Sequence, residues 1–253
     1  MIKVETDVKT VLENLFGKPV VIVRDREPFQ SVSVKRLDPI RSELMAMDSS
    51  LSPLLFLSTS CYQIDEALDV VNGLQNDNRH YEVIVPGRLG SLGTVLSLGA
   101  DKIHMTRMGA LSSIDATLSG HGYPSNIFLN SIRRHINPAE LSELRTFSQN
   151  VVDSDPDLLS SIDKEIEKYV PSHLRLEAKQ RESELKEKLL HIIKTPSGLI
   201  NHEHIVNFLL SEAGSFDYWM FYREVKKMGL NVDLISGNKE QKALEMHNVL
   251  RGQ

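Results

Sequence analysis

Short apolar runs bounded by turn-forming residues define the first half of the chain. The first three runs are rich in Val, Ile or Leu, which predicts buried strands, and a shorter fourth run follows. Between two of these runs, apolar residues recur at helical spacing from Ile64 to Leu74, and Leu92 to Leu98, closed by Gly99, predicts a second helix. Strands that alternate with helices favour an α/β fold with a mostly parallel sheet. The predicted strands are 20–23, 54–57, 81–85 and 102–105.

Helical spacing replaces the strand pattern after about Leu118. Residues 127–136 form an amphipathic segment, Tyr218 to Lys227 predicts a last helix, and residues 231–235 predict a short final strand. The segment from Leu174 to Ile193 mixes Glu and Lys with a narrow apolar stripe, so it is either a solvated helix face or an arm that packs on a partner subunit. We therefore predict a core over residues 1–135 and a helical extension over 136–253, packed on the core.

Composition excludes several classes of protein. The 253 residues hold a single cysteine, so a fold built on internal disulfides is excluded. With 29 basic and 34 acidic residues the net charge is -5, which argues against a general nucleic-acid binder. No run approaches 18 apolar residues, and acidic residues near the N-terminus stand where a signal peptide would be apolar. We expect a cytoplasmic protein without a membrane span.

The glycine-rich segment from Val85 to Thr94 follows a predicted strand and opens a predicted helix. A loop that cradles phosphate fits it poorly, because neither Gly-x-Gly-x-x-Gly nor Gly-Lys-Ser/Thr is present. A nucleophilic serine at a strand-to-helix turn fits better, with Ser91 as the candidate and Gly90 and Gly93 leaving room for a substrate backbone. Ser91 could equally serve only as the N-cap of the helix.

Several separated segments agree in order and spacing with one group of proteases. They are Glu82–Pro86, Gly90–Thr94, Leu98–Ile103 and Leu111–Asp115, with Ser215–Tyr218 and Glu224–Val232 near the C-terminus. Together these segments resemble the serine dehydrogenase proteinase family, within the Clp-type and signal-peptide-peptidase-like serine proteases. The resemblance implies a Clp/crotonase-like core of stacked strand and helix turns, with helical extensions that mediate self-assembly. It also implies that Ser91 is the nucleophile and that the backbone N–H of Leu92 is an oxyanion donor.

Two departures from the family pattern bear on activity. Where the family has Thr-Pro-Gly-Gly, this chain has Cys61 and Tyr62 in place of the glycines that would supply the second oxyanion N–H. Non-glycine residues adopt positive φ at a cost, so this half of the oxyanion hole is altered. Phe216 also replaces the family's histidine. For the general base or its orienting partner the candidates are Asp115 and His121.

We expect a serine peptidase-like hydrolase that acts on a peptide or protein substrate as a homo-oligomer. One alternative is a catalytically impaired homologue that serves as a peptide-binding or assembly scaffold. Another is a protein that binds a small acyl or phosphate ligand at the Gly90 to Thr94 turn. Neither a metal nor a cofactor is expected, since the histidines of His202–His204 lack the i, i+4 spacing that places two ligands on one helix face.

Overall fold

A computed structural model gives the fold and describes residues 2–24, 37–60, 64–114, 172–195, 202–212 and 219–252. In chain order the helices and strands of these ranges are α1 (Ile2–Phe16), β1 (Val20–Arg24), α2 (Asp38–Ala46), β2 (Leu54–Ser58), α3 (Ile64–Asn76), β3 (Glu82–Val85), β4 (Arg88–Leu89), α4 (Ser91–Leu98), β5 (Lys102–Met105), β6 (Ala110–Ser112), α5 (Ser172–Ile192), α6 (His202–Asn207) with a π-helical turn at Phe208–Glu212, β7 (Trp219–Phe221), α7 (Tyr222–Lys227), β8 (Val232–Leu234) and α8 (Asn238–Arg251).

The central sheet has five parallel strands in the order β1-β2-β3-β5-β8. Every residue of β2 is buried, as expected for a strand covered on both faces, and this is why such strands read as unbroken apolar runs. The predicted strands at 20–23, 54–57, 81–85 and 102–105 lie within one residue of β1, β2, β3 and β5. The α/β fold with a mostly parallel sheet is confirmed.

One face of this sheet packs against the first and last helices. Leu54 and Phe56 on β2 and Ile84 on β3 alternate with residues of the opposite face and meet apolar side chains of α1 and α8. The two helices also contact each other. The buried cluster on this face comprises Val8, Leu12, Val20, Leu54, Phe56, Ile84, Ile235, Ala243, Met246 and Leu250.

A second, smaller sheet carries the start of α4. β4 pairs in parallel with β6, and β6 pairs antiparallel with β7. All eight residues of α4 are buried, and the helix contacts α3, β3, β4 and β6. The start of α4 is therefore packed between the two sheets.

The predicted helix over residues 218–227 is wrong at its beginning. Trp219 to Phe221 form strand β7, and the helix starts at Tyr222. The sequence Trp-Met-Phe favours an extended chain, and Met220 lies opposite Leu111 of β6 in the antiparallel ladder, so long-range pairing decides the conformation. The helix predicted at 174–193 is confirmed as α5, within two residues at its start and one at its end.

Tertiary contacts divide the chain into two compact units, Met1–Ile114 with Lys186–Gln253, and Asp115–Leu185. The boundary predicted at residue 135 lies outside the described residues and stays a prediction. Among the helices of the described ranges, none combines the length and the apolar character that a membrane crossing requires.

Candidate functional site

Ser91 is the first residue of α4, and Gly90 alone separates it from the two-residue strand β4. The N-cap position that we predicted for Ser91 belongs to Gly90, whose backbone is extended at φ -70° and ψ 178°. The N–H of Gly90 donates to the carbonyl oxygen of Thr59 at 3.1 Å. This bond ties the start of α4 to the chain that leaves the carboxyl end of β2.

The hydroxyl of Ser91 is buried and already engaged. It donates to the carbonyl oxygen of Ser113 at 2.9 Å, and the residue is 1% exposed. In this conformation its proton is directed to a peptide oxygen, which is not a general base. Among the described residues, no titratable side chain shares a hydrogen bond with this hydroxyl.

Other hydroxyl groups join α4 to the end of β6. Thr94 Oγ1, one turn along the helix from Ser91, donates to the carbonyl oxygen of Ser112 at 3.0 Å. Ser112 Oγ donates to the carbonyl oxygen of Ser113 at 2.9 Å. Two successive carbonyls of one chain segment thus accept hydroxyls from the first turn of α4, which fixes the rotation of the helix relative to the small sheet.

The first turn of α4 offers backbone donors of the kind found in oxyanion holes. The N–H groups of Ser91, Leu92 and Gly93 have no hydrogen-bond acceptor among the described residues, as is general for the first turn of a helix. The helix dipole adds a partial positive charge at this end. Negative charge that develops on a substrate oxygen near Leu92 would be stabilised there.

Gly93 has a packing role that its sequence position did not reveal. A Cβ at Gly93 would lie 2.9 Å from Cβ of Leu89, closer than side chains tolerate. The absence of a side chain therefore lets α4 pack on β4. The room we expected it to leave for a substrate is taken up on this side by Leu89.

Four of the predicted site residues, Cys61, Tyr62, Asp115 and His121, lie outside the described residues. Their roles stay predictions. The described chain does bring two segments to the start of α4, one that ends with Ser60 and one that ends with Ile114. Cys61 follows the first segment in sequence and Asp115 the second.

Lys102, the first residue of β5, is near Ser91 in sequence but is engaged elsewhere. Its ammonium group lies 2.6 Å from the carboxylate of Asp233 on β8. The hydrogen bond to Asp233 raises the pKa of Lys102, whereas a general base needs a lowered one. In the part of the chain that is described, no group of three His, Cys, Asp or Glu side chains is arranged to hold a metal ion.

Asp101 anchors the segment that precedes β5. Its carboxylate accepts hydrogen bonds from the ammonium group of Lys194 at 2.9 Å and from the N–H of Tyr81 at 3.0 Å, and lies 3.1 Å from the ring of His80. Burial on its own raises the pKa of Asp101, but the bonds and charges of Lys194 and His80 outweigh it and lower the pKa. Asp101, in the segment Leu98–Ile103, thus has a structural role.

A buried Ser–His pair that the sequence did not reveal lies at the end of β2. A hydrogen bond of 3.0 Å joins Ser58 Oγ to Nδ1 of His247 on α8, and the two residues are 3% and 8% exposed. Burial, with a contribution from the charge of Arg251, lowers the pKa of His247 to about 4. The only sequence signal is that His247 lies on the apolar side of its helix, between Met246 and Leu250.

The chain has a distant structural likeness to proteins of known structure. No protein-family model and no curated protein matches the chain. Among solved structures, the chain is similar to one in a crystal structure of a Pseudomonas malonate decarboxylase hetero-tetramer in complex with coenzyme A. The two are 11% identical, the match covers 79% of this chain and 83% of that one, and the TM-score is 0.31. A likeness this distant assigns no reaction to this chain.

Proposed function

We propose that this chain is a serine peptidase-like hydrolase of the Clp/crotonase type, with Ser91 as the nucleophile for a peptide or acyl carbonyl. The observation that carries the proposal is the position of Ser91 as the first residue of α4, beside the N–H groups of Leu92 and Gly93, which have no acceptor in the part of the chain that the structure describes. A nucleophile and a set of oxyanion donors need this proximity, since both must reach one carbonyl group.

The reaction starts when the Ser91 hydroxyl turns away from the carbonyl of Ser113. Oγ then forms a bond to the substrate carbonyl carbon, its proton passes to a base, and the carbonyl oxygen becomes an oxyanion near the N–H of Leu92. Collapse expels the amine or alcohol, which takes up a proton, and water hydrolyses the acyl-enzyme. For the base we propose Asp115 or His121, acting alone or with one orienting the other.

The second oxyanion donor belongs to the Cys61–Tyr62 turn in this proposal. Because this turn lacks the family's glycines, we expect slow hydrolysis. Removing one donor from an oxyanion hole typically lowers the rate by about 100- to 1000-fold. Replacing Cys61 and Tyr62 together with glycine should raise the rate if the turn is the limiting defect.

A scaffold without activity is the second candidate function. The burial of Ser91 and its bond to Ser113 favour it, because a hydroxyl held by a peptide carbonyl needs no base and performs a structural role. In this case the protein would bind peptides or assemble with other copies of itself, and Ser91 would only join α4 to the small sheet.

Labelling with a fluorophosphonate probe separates the two candidates. The wild-type protein should be labelled at Ser91, as mapped by peptide mass spectrometry, and Ser91→Ala should not react. Ser97→Ala is the matched control, because Ser97 lies on the same helix, is also 1% exposed and donates to the carbonyl of Gly93 at 2.7 Å. Each variant loses one buried hydroxyl bond, worth about 1 kcal/mol, so both should fold. No labelling in either the wild-type or the glycine-restored protein would favour the scaffold.

A further inference from the structure

An arginine and a tryptophan meet above the middle strand of the small sheet. The guanidinium group of Arg88 on β4 lies 5.4 Å from the ring centroid of Trp219 on β7. Neighbouring strands are about 4.8 Å apart, and β6 separates these two strands, so the side chains make this contact above β6. The β6 residues that pair with them, Ala110 and Ser112, are 0% and 1% exposed. Small residues on β6 therefore leave room for the two long side chains.

Arg88 has no acidic partner in the part of the chain that the structure describes. The residue is exposed, and within the described ranges its guanidinium group has no hydrogen bond and no ion pair. Arg24 and Arg107, by contrast, each pair with a glutamate. The contact with Trp219 restrains the guanidinium group but supplies no oxygen acceptor. Its five N–H donors are therefore available to a ligand.

The Arg88–Trp219 pair is close to Ser91 both along the chain and across the small sheet. Arg88 precedes Ser91 by three residues. Trp219 pairs with Ser112 in the antiparallel ladder, and the carbonyl of the next residue, Ser113, accepts the Ser91 hydroxyl. An extended peptide rises about 3.3 Å per residue. A substrate whose carbonyl lies at Ser91 thus has residues within a few positions of that carbonyl that reach the guanidinium group.

We propose that Arg88 is a specificity-determining residue of the proposed hydrolase, on which this inference rests, and that its guanidinium group binds a carboxylate of the peptide substrate. Arginine suits this role because its planar fork of donors matches the two oxygens of a carboxylate. Trp219 is a positioning residue, because it restrains the guanidinium group before the substrate binds and so reduces the entropy lost on binding. The substrate is a peptide with an acidic side chain within a few residues of the cleaved bond, or with its C-terminal carboxylate there.

The test compares peptides that differ only in this carboxylate. A set of fluorescence-quenched, end-capped heptapeptides carries one glutamate at each position in turn in an alanine background, and each peptide has a glutamine counterpart. One further glutamine peptide has a free C-terminal carboxylate. The quantity measured with the full chain is the ratio of kcat/KM for a carboxylate peptide to kcat/KM for its uncharged counterpart. For an exposed, charge-assisted pair we expect a ratio of about 5 to 13 at the preferred position.

Variants of the pair should change this ratio. Arg88→Gln should lower it to about one, because the charge and the fork are lost, and Trp219→Leu should lower it in part, because the charge remains. A general loss of stability slows the cleavage of both peptides equally and leaves the ratio unchanged, so the ratio reports recognition. Arg41→Gln is the matched control, since Arg41 is an exposed arginine on α2 without an acidic partner among the described residues, and it should keep the wild-type ratio.

The outcomes separate this inference from the proposed function. If no peptide is cleaved and fluorophosphonate does not label Ser91, the proposed function fails and the role of Arg88 fails with it. Labelling of Ser91 without cleavage of any peptide would overturn the substrate class, and the role of Arg88 with it. If cleavage depends on Ser91 but every ratio is within twofold of one, or Arg88→Gln keeps the wild-type ratio, only the role of Arg88 is overturned.

Two further results refine the assignment. An unchanged ratio in Trp219→Leu would overturn the positioning role of Trp219. A preference for the free C-terminal carboxylate alone, lost in Arg88→Gln, would support carboxylate binding by Arg88 and identify the end of the peptide as its source.

Discussion

Acidification should destabilise this protein through one buried histidine, His247. The residue is 8% exposed, and its ring is hydrogen-bonded to Ser58 and packed so closely on Gly87 that a Cβ there would lie 2.6 Å from Nε2. Protonation of the neutral ring would place a positive charge in this site. Among the described residues no carboxylate lies within hydrogen-bond distance of the ring, and the positive charge of Arg251 opposes protonation. The neutral ring is therefore the form that the fold selects.

The magnitude follows from the difference between the two pKa values. Burial lowers the pKa of His247 from 6.5 to about 4 in the folded protein. The unfolded chain thus binds more protons than the folded one below pH 6.5, and stability falls as the pH decreases from 6.5 towards 4. At about 1.36 kcal/mol per pKa unit, the full loss is about 3 kcal/mol, of which about 2 kcal/mol is lost by about pH 5.

Urea unfolding of the wild-type protein and of His247→Asn, each at about pH 7.5 and about pH 5, measures this loss. Asparagine keeps a hydrogen-bonding group near the position of Nδ1 but does not titrate. The free energy of unfolding of the variant should fall by about 2 kcal/mol less than that of wild type between the two pH values. His191→Asn, at an exposed position on α5, should retain the wild-type pH dependence.

Equal losses in wild type and His247→Asn would refute this reasoning. They would show that other groups cause the acid sensitivity and that the ring of His247 is protonated in the folded protein without penalty. A variant more sensitive to acid than wild type would refute it in the same way.

Other predictions concern packing and assembly. Gly99→Ala should lower the free energy of unfolding by about 1 to 3 kcal/mol, because the added Cβ would lie 2.3 Å from Cγ1 of Val71. An unchanged midpoint in urea titrations would contradict the close packing of α3 and α4. Gly73→Ala should be neutral or stabilise by up to about 1 kcal/mol. The nearest atoms to the added Cβ belong to the flexible guanidinium group of Arg41, at 3.2 Å, and alanine improves helix propensity. We expect a homo-oligomer with the charged segment Leu174–Ile193 near the contact between subunits. Light scattering should therefore give at least twice the chain mass of 28.5 kDa, and a monomer at micromolar concentration would contradict this expectation.

The sequence determined the central sheet because its strands are covered on both faces. A strand such as β2 must be apolar at every position, so it is recognised from a run such as Leu54–Leu57 without knowledge of its neighbours. The helices α3 and α4 follow from local spacing and from the glycines near their ends. By contrast, α1 and α8 were not predicted, since their mean hydropathy is low and each buries only a narrow stripe.

The serine at the start of α4 was also accessible from the sequence, because a strand, a glycine-rich turn and a helix are local features. The groups that surround Ser91 could not be predicted from the sequence. The partner of the Ser91 hydroxyl is the carbonyl of Ser113, 22 residues away, and Ser58 and His247 are separated by 189 residues.

Only the tertiary structure decided these partners. A hydroxyl or an imidazole can bond to any group that folding brings near it, and the sequence spacing of the two groups does not restrict the choice. The same holds for Trp219–Phe221, which becomes a strand through pairing with β6. Burial on folding then sets the pKa of His247, because desolvation of the charged ring depends on the packed neighbours and not on the histidine itself.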